Sequence, residues 1–151
     1  MPEIAIARRI AAPVSVVWGV LDDFGDIQRW SPGVTRSFLT SNGPVGVGTT
    51  RHCDFPIGGA TERIEVYEPH RRMTVRLTEM FKMPMTDAAA DFSLRPSSEG
   101  TALTFRYDYT PSRLGSMMGG LLEKMMAKGT VGIVTGLQQE CERLAAIGAS
   151  G

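Results

Sequence analysis

Two runs of alternating apolar and polar residues, separated by a turn, occupy residues 86–110: TDAAADFSLRPSSEGTALTFRYDYT. Alternation with a period of two is typical of strands that bury one face. Pro96 and Gly100 mark the break between the two runs. A connection this short joins antiparallel strands, because parallel strands need a crossover of a dozen residues or more. The stretch therefore predicts two paired antiparallel strands, 86–96 and 101–110.

The same pattern continues towards the amino terminus. Turn residues separate further predicted strands at residues 3–10, 34–41, 48–56, 60–68 and 72–80. Two short helices follow the first strand, one opened by Pro13 and one near Asp26. Residues 114–147 form a helical pattern, and only this helix is long enough to cover the apolar face of the sheet. We predict an α+β fold in one domain, residues 1–151, with a curved seven-stranded antiparallel sheet wrapped around the long C-terminal helix.

Composition excludes several classes of protein. The 151 residues include sixteen basic and sixteen acidic ones, so the net charge is zero and supplies no positive field for nucleic acid. Uncharged stretches are too short to cross a bilayer, and the amino terminus lacks the pattern of a secretory signal. We therefore expect a cytoplasmic protein with no transmembrane segment. Cys53 and Cys141 have no metal-binding spacing, which favours free thiols and predicts neither a metal nor a cofactor.

The parity of the strands predicts the interior. In residues 101–110 the inward set includes Phe105 and Tyr107, between Leu103 and Tyr109. In residues 86–96 the inward set is Ala88, Ala90, Phe92 and Leu94. Two alanines facing the helix leave empty room. This gap predicts an internal cavity.

Two charged residues follow the apolar parity of their strands. Arg51 is on the same face of its strand as Cys53 and Phe55, so it is predicted to point inward. Glu62 is predicted to point inward for the same reason, with Ala60, Ile64 and Val66. A two-residue turn at Ile57-Gly58 would place Cys53 opposite Glu62 and Phe55 opposite Ala60, with Arg51 a diagonal neighbour of Glu62 at roughly 7–8 Å. A carboxylate in a core needs partners. Glu62 is therefore either half of a structural pair with Arg51 or a polar anchor in an apolar pocket.

The long helix is rich in glycine and methionine. Its glycines each cost about 1 kcal/mol relative to alanine. They indicate close backbone approach, a break near Gly119-Gly120, or a helix that yields to open the cavity. Methionines such as Met125 suit either core filling or contact with irregular ligands. A second apolar cluster, beside Pro84, is consistent with a lid, a contact in a homodimer, or a hairpin tip: Met80, Phe81, Met83 and Met85.

An ordered set of motifs resembles the START-like (SRPBCC) superfamily, and within it the polyketide cyclase/dehydrase and lipid-transport branch. The motifs are I-x-A-P-V-x-V-V-W from Ile10, D-x-x-x-W from Asp26, G-x-G-T from Gly46, E-R-I-x-x-Y-E-P from Glu62 and G-T-x-L from Gly100. The resemblance covers nearly the whole chain. It implies a helix-grip fold with a deep cavity for hydrophobic small molecules. Related plant hormone receptors contact ligand at the positions of Trp30 and Glu62, although Trp30 replaces their basic residue.

Three functions are compatible with this pattern. The first is binding or carriage of a lipid, polyketide or aromatic metabolite. The second is a cyclase that performs aldol chemistry with Glu62 as base and Arg51 or Tyr107 as donor. Parity places His52 outside, and His70 lies in a turn, so catalysis by histidine is not expected. The third is a partner-binding module. The predicted ligand-binding set is Trp30, Arg51, Cys53, Phe55, Glu62, Ile64, Val66, Ala90, Phe92, Phe105, Tyr107 and Met125.

Overall fold

The computed structural model describes residues 2–150, with side chains through residue 148, so Met1 and Gly151 at the ends of the predicted domain lie outside the described residues. Its strands are β1 (Glu3–Ile10), β2 (Arg36–Leu39), β3 (Thr50–Asp54), β4 (Gly59–Glu68), β5 (Arg72–Phe81), β6 (Met85–Ser97) and β7 (Gly100–Pro111). Helix α1 (Val14–Asp22) and a 3₁₀ helix (Phe24–Arg29) follow β1. Helices α2 (Arg113–Met118) and α3 (Gly120–Ser150) end the chain.

The seven strands form one sheet in the order β1-β7-β6-β5-β4-β3-β2, and every neighbouring pair is antiparallel. The sheet curves around α3, which confirms the predicted fold. Its other face is polar and carries ion pairs, among them Arg76 with Glu65 and Asp87. Among the described residues, no helix is long and apolar enough to span a membrane.

The predicted long helix is broken. Gly119 has φ 58°, a left-handed conformation that favours glycine, and it separates α2 from α3. Two other glycines allow close backbone contact, because an added Cβ would collide with the Pro84 carbonyl oxygen at Gly115 and with that of Trp30 at Gly136. These contacts pack α2 on the β5–β6 turn and α3 on the loop after the 3₁₀ helix. The packing offsets the free energy that glycine costs relative to alanine in a helix.

The inward sets predicted for β6 and β7 are confirmed, since Ala88, Ala90, Phe92 and Leu94 are buried together with Leu103, Phe105, Tyr107 and Tyr109.

The predicted register of β3 and β4 is wrong by two residues. Arg51 lies directly opposite Glu62, and Cys53 lies opposite Ala60. Phe55 N–H donates to the Gly58 carbonyl at 3.0 Å, so the two central turn residues are Pro56 and Ile57. The fixed φ of proline suits the first central position. A two-residue shift preserves the face of every side chain, so the inward parity of Arg51 and Glu62 holds.

The prediction that Val66 faces inward is also wrong. The pairing of β4 with β5 shifts between Ile64 and Val66, so Val66 pairs with Thr74 and Tyr67 pairs with Met73. The extra residue reverses the parity of the strand from that point. Tyr67 packs against the core in place of Val66, and its hydroxyl donates to Asp22 Oδ1 at 2.5 Å, which ties β4 to α1.

Candidate functional site: a cavity beneath the C-terminal helix

A cavity of about 800 Å³ lies between the concave face of the sheet, α3 and the loop of residues 31–34. This volume is in the range of small-molecule sites, roughly 300–1,000 Å³. Eight predicted residues line it: Arg51, Phe55, Glu62, Ala90, Phe92, Phe105, Tyr107 and Met125. The small side chain of Ala90, placed between Val75 and Tyr107 on the neighbouring strands, leaves part of this room. The predicted space between sheet and helix is therefore present.

Arg51 and Glu62 form a buried ion pair in the cavity wall. Arg51 Nε donates to Glu62 Oε1 at 2.8 Å, and Arg51 Nη2 lies 2.6 Å from the same oxygen. The side chains are only 7% and 11% exposed. Arg51 Nη1 donates to the carbonyl oxygen of Phe24 at 3.0 Å, and the guanidinium lies 3.8 Å from the centre of the Phe24 ring. Protein groups thus occupy the guanidinium. The Glu62 carboxylate also interacts with the Cys53 thiol, but with about four acceptor positions it keeps capacity to accept a further hydrogen bond.

Tyr107 and Cys53 are the titratable groups next to this pair. Burial, with smaller contributions from Glu62 and Tyr109, raises the pKa of Tyr107 well above its usual range. Its hydroxyl is therefore protonated at neutral pH and able to donate. Burial, with the charge of Glu62 adding to it, raises the pKa of Cys53 to about 12. A thiol in this state is a poor nucleophile, so Cys53 acts here as a packing residue.

Four predicted site residues do not line the cavity. Cys53 and Ile64 face inward as predicted, but both are completely buried in the core, because the cavity occupies only part of the concave face. Val66 points to the outer face after the shift in β4. Trp30 is buried beside two shallow surface depressions near Arg29 and Gly136, which lie outside the cavity.

Sequence reasoning missed other parts of the lining. Val75 and Leu77 of β5 lie on the wall, and the alternation of that strand could have identified them. The cavity is also lined by Met83 in the β5–β6 turn, by Met85 at the start of β6, and by Lys128, three residues beyond Met125. Thr130 is a polar lining residue, but its hydroxyl lies 2.9 Å from the Met126 carbonyl and 3.0 Å from that of Ala127. Its hydrogen-bonding capacity is therefore directed at the helix backbone.

Both histidines lie where the sequence predicted. His52 is on the outer face, with Nε2 2.7 Å from Asp54 Oδ1 and its ring 5.3 Å from that of Phe38. His70 is exposed in the β4–β5 turn, and its ring centre lies 6.3 Å from that of Trp18 in a T-shaped arrangement. Neither histidine lines the cavity. Among the described residues, no group of three or more His, Cys, Asp or Glu side chains is arranged to hold a metal ion.

The α3 wall of the cavity contains glycines that no contact requires. A Cβ added at Gly129 would meet no atom within 4 Å, and one at Gly132 would meet only Pro32 Cγ at 3.7 Å. Both residues line the cavity. Their missing side chains therefore widen the cavity on the helix side, as Ala90 does on the sheet side.

A curved seven-stranded antiparallel sheet, closed by a C-terminal helix over an apolar cavity, defines a START-like protein of the helix-grip fold. The chain belongs to the polyketide cyclase/dehydrase and lipid transport family, whose model matches residues 1–146. Both findings confirm the resemblance seen in the sequence motifs.

Solved structures share the fold at low sequence identity. The aromatase/cyclase ZhuI from Streptomyces sp. R1128 superposes with a TM-score of 0.80 at 17% identity, covering 94% of each chain. A START superfamily protein from Mycobacterium smegmatis gives 0.80 at 16% identity, covering 94% of this chain and 98% of that one. A protein from Thermus thermophilus, TTHA0849, gives 0.79 at 19% identity, covering 96% and 99%. At these identities the likeness concerns the fold.

Proposed function

We propose that this protein binds and carries a hydrophobic small molecule in the cavity, with a hydroxyl group of that molecule directed at Glu62. The observation that carries the proposal is an apolar cavity of about 800 Å³ whose wall contains one buried ion pair. Specific small-molecule sites commonly combine an apolar lining with a few polar groups that orient the ligand. A carrier needs no further chemistry.

The charges of the site indicate what the polar end of the ligand is. Glu62 neutralises Arg51, so the guanidinium is not available to attract a carboxylate. The Glu62 carboxylate has capacity to accept a hydrogen bond, and the protonated Tyr107 hydroxyl can both donate and accept. A neutral hydroxyl or phenol matches this pair of groups, whereas Lys128, the other cation of the lining, is exposed to solvent. Lipids, polyketides and aromatic metabolites that carry a hydroxyl are therefore the ligand class we propose.

A matched pair of fluorescent probes tests this proposal. We expect 2-naphthol to bind about tenfold more tightly than 2-methoxynaphthalene, because only the phenol donates to the carboxylate and a hydrogen bond to a charged group contributes about 1.5–3 kcal/mol. Glu62→Gln should reduce that preference, because the acceptor becomes neutral. The matched control is Glu65→Gln, on the same strand but on the outer face beside Arg76. Equal affinities of the two probes for the unaltered protein would contradict hydroxyl recognition.

A second candidate function is catalysis of the cyclase type. It is favoured by the presence of a carboxylate and a protonated tyrosine hydroxyl in one cavity. Glu62 would remove a proton from the carbon next to a carbonyl, and Tyr107 would donate a hydrogen bond to the enolate oxygen. In an aldol condensation the enolate carbon then bonds to a second carbonyl carbon, and water leaves in the dehydration.

Deuterium exchange separates a catalyst from a carrier. A catalyst should accelerate exchange of the α-hydrogens of 2-tetralone in D₂O by about 10²–10⁴-fold, the usual contribution of a general base. Proton NMR follows the exchange, and Glu62→Gln should remove the acceleration while Glu65→Gln retains it. A carrier leaves the exchange rate at its value in buffer, even when 2-tetralone is bound.

A further inference from the structure

Exposed apolar side chains gather beside Pro56 and Met125, which line the cavity and are themselves exposed. Residues 55–58, 81–85 and 112–129 form a surface that we call the mouth rim. It carries six of the eleven exposed large hydrophobic side chains of the described residues: Ile57, Phe81, Leu114, Met117, Leu121 and Met125. Met117 is 79% exposed, and Ile57 is 76% exposed. Exposed apolar side chains concentrated in one place mark an interaction surface.

Direct contacts join the parts of the mouth rim. The Ser112 N–H donates to the Pro84 carbonyl at 3.0 Å, which holds the start of α2 on the β5–β6 turn. Residues Pro56–Gly58 line one surface depression together with Phe81, Lys82 and the β3 residues His52 and Asp54. Pro56, Met83 and Met125 line the cavity from its different sides. The mouth rim therefore adjoins exposed parts of the cavity lining, at Pro56, Met125 and Lys128.

The basic residues of the mouth rim distinguish it from the rest of the protein. All three lysines of the chain, Lys82, Lys124 and Lys128, lie there with Arg113, against the single acidic residue Glu123. This composition gives the rim a net charge of +3, or +2 when Asp54 in the depression beside Lys82 is counted, in a chain whose total is zero. All three lysines are exposed, and none takes part in an ion pair within residues 2–150. Lys82 Nζ lies 5.4 Å from the centre of the Phe81 ring, but no carboxylate of the described residues neutralises any of the three charges.

We propose that the mouth rim docks on a lipid bilayer that contains anionic headgroups. Lysines attract an anionic surface, and exposed Met, Leu, Ile and Phe side chains enter the boundary between headgroups and acyl chains. A nucleic acid would match the lysines but would leave the aliphatic side chains without a partner. Docking in this orientation turns the cavity opening towards the acyl chains, so a hydrophobic molecule passes between membrane and cavity without crossing water.

Cosedimentation with lipid vesicles tests the proposal. We expect the protein to bind vesicles of phosphatidylcholine containing phosphatidylglycerol, and to bind pure phosphatidylcholine much more weakly. Lys82→Gln and Lys124→Gln should each weaken vesicle binding about fivefold, since each basic residue near an anionic surface raises the affinity by about that factor. Binding should also weaken as salt is added, because salt screens exposed charges.

Two further variants keep the experiment specific. Arg71→Gln removes an exposed charge in the β4–β5 turn, at the opposite end of β4 from residues 55–58, and should leave vesicle binding unchanged. Met117→Ser should weaken binding to anionic vesicles without changing the affinity for 2-naphthol. Equal binding to neutral and anionic vesicles, or none to either, would overturn the proposal. So would a stable dimer without lipid that Met117→Ser converts to monomer, because the rim would then be covered by a second copy.

Discussion

Arg51→Met is expected to lower the free energy of unfolding by about 3–5 kcal/mol, because it leaves the Glu62 carboxylate buried without its charged partner. The side chain of Arg51 is 7% exposed, so water does not replace the lost contacts at low cost. The substitution also removes the hydrogen bond to the Phe24 carbonyl and the contact with the Phe24 ring. Urea denaturation followed by circular dichroism measures the change.

The double variant Arg51→Met/Glu62→Leu separates structure from recognition. Replacing both members of a buried ion pair by apolar residues is often neutral or stabilising, so most of the lost stability should return. The preference for 2-naphthol over 2-methoxynaphthalene should not return, because the acceptor is gone. If the double variant recovers stability and keeps the preference, the ion pair is only structural and Glu62 does not orient the ligand.

A surface ion pair provides the control for the first prediction. Arg76 contacts Glu65 and Asp87 at 2.8 Å on the outer face, where its side chain is 37% exposed. Arg76→Met should therefore change the free energy of unfolding by only about 0–1 kcal/mol. If Arg76→Met lowered the free energy of unfolding as much as Arg51→Met does, the burial of Arg51 would not be the reason for its larger effect.

Ala90→Phe is expected to weaken probe binding strongly by filling the cavity from the sheet side. Ala90 lies on the wall beside Phe92, opposite Val75 and Tyr107, and its side chain faces open space. A phenyl ring at this position occupies the room that a bicyclic probe needs. Affinity for 2-naphthol should fall at least tenfold, equivalent to about 1.4 kcal/mol. The free energy of unfolding should change by no more than about 1–3 kcal/mol, because the ring enters empty space and its neighbours need to repack only slightly.

Ala89→Phe is the matched control for that variant. Ala89 is the adjacent residue of β6, but it pairs with Arg76 and Asp108 on the outer face. The same side chain placed there should leave probe binding unchanged. Fluorescence titration with 2-naphthol measures both variants. Full affinity in Ala90→Phe would place the ligand outside the cavity.

Strand parity allowed much of the site to be predicted. Alternation in residues 86–110 identified both inward faces and the small residue Ala90, because a half-buried strand must alternate. The same rule placed Arg51 and Glu62 inside and His52 outside. The lining residues Val75 and Leu77 were open to the same reasoning, since β5 alternates in the same way.

Predictions failed where one extra or displaced residue changed the backbone. The turn at Pro56-Ile57 places the register of β3 and β4 two residues away from the predicted one. The irregularity after Ile64 exchanges the faces of the sheet on which Val66 and Tyr67 lie. Both depend on local backbone energies that alternation does not report. Trp30 failed for another reason, because the close contact of its carbonyl with Gly136 places it on the far side of the loop from the cavity.

The amino-acid sequence by itself determined the sheet, the covering helix, the family and the pair of inward charges, since hydrophobic periodicity and short motifs act over a few residues at a time. Only the tertiary structure decided that Arg51 is held by Glu62 and Phe24, that the helix breaks at Gly119, and that Lys128 lines the cavity while Lys82 lies beside Pro56–Gly58. These features bring together residues from β3, β4, the β5–β6 turn and α3. Their positions depend on how the layers pack, a property of the whole chain that no single segment specifies.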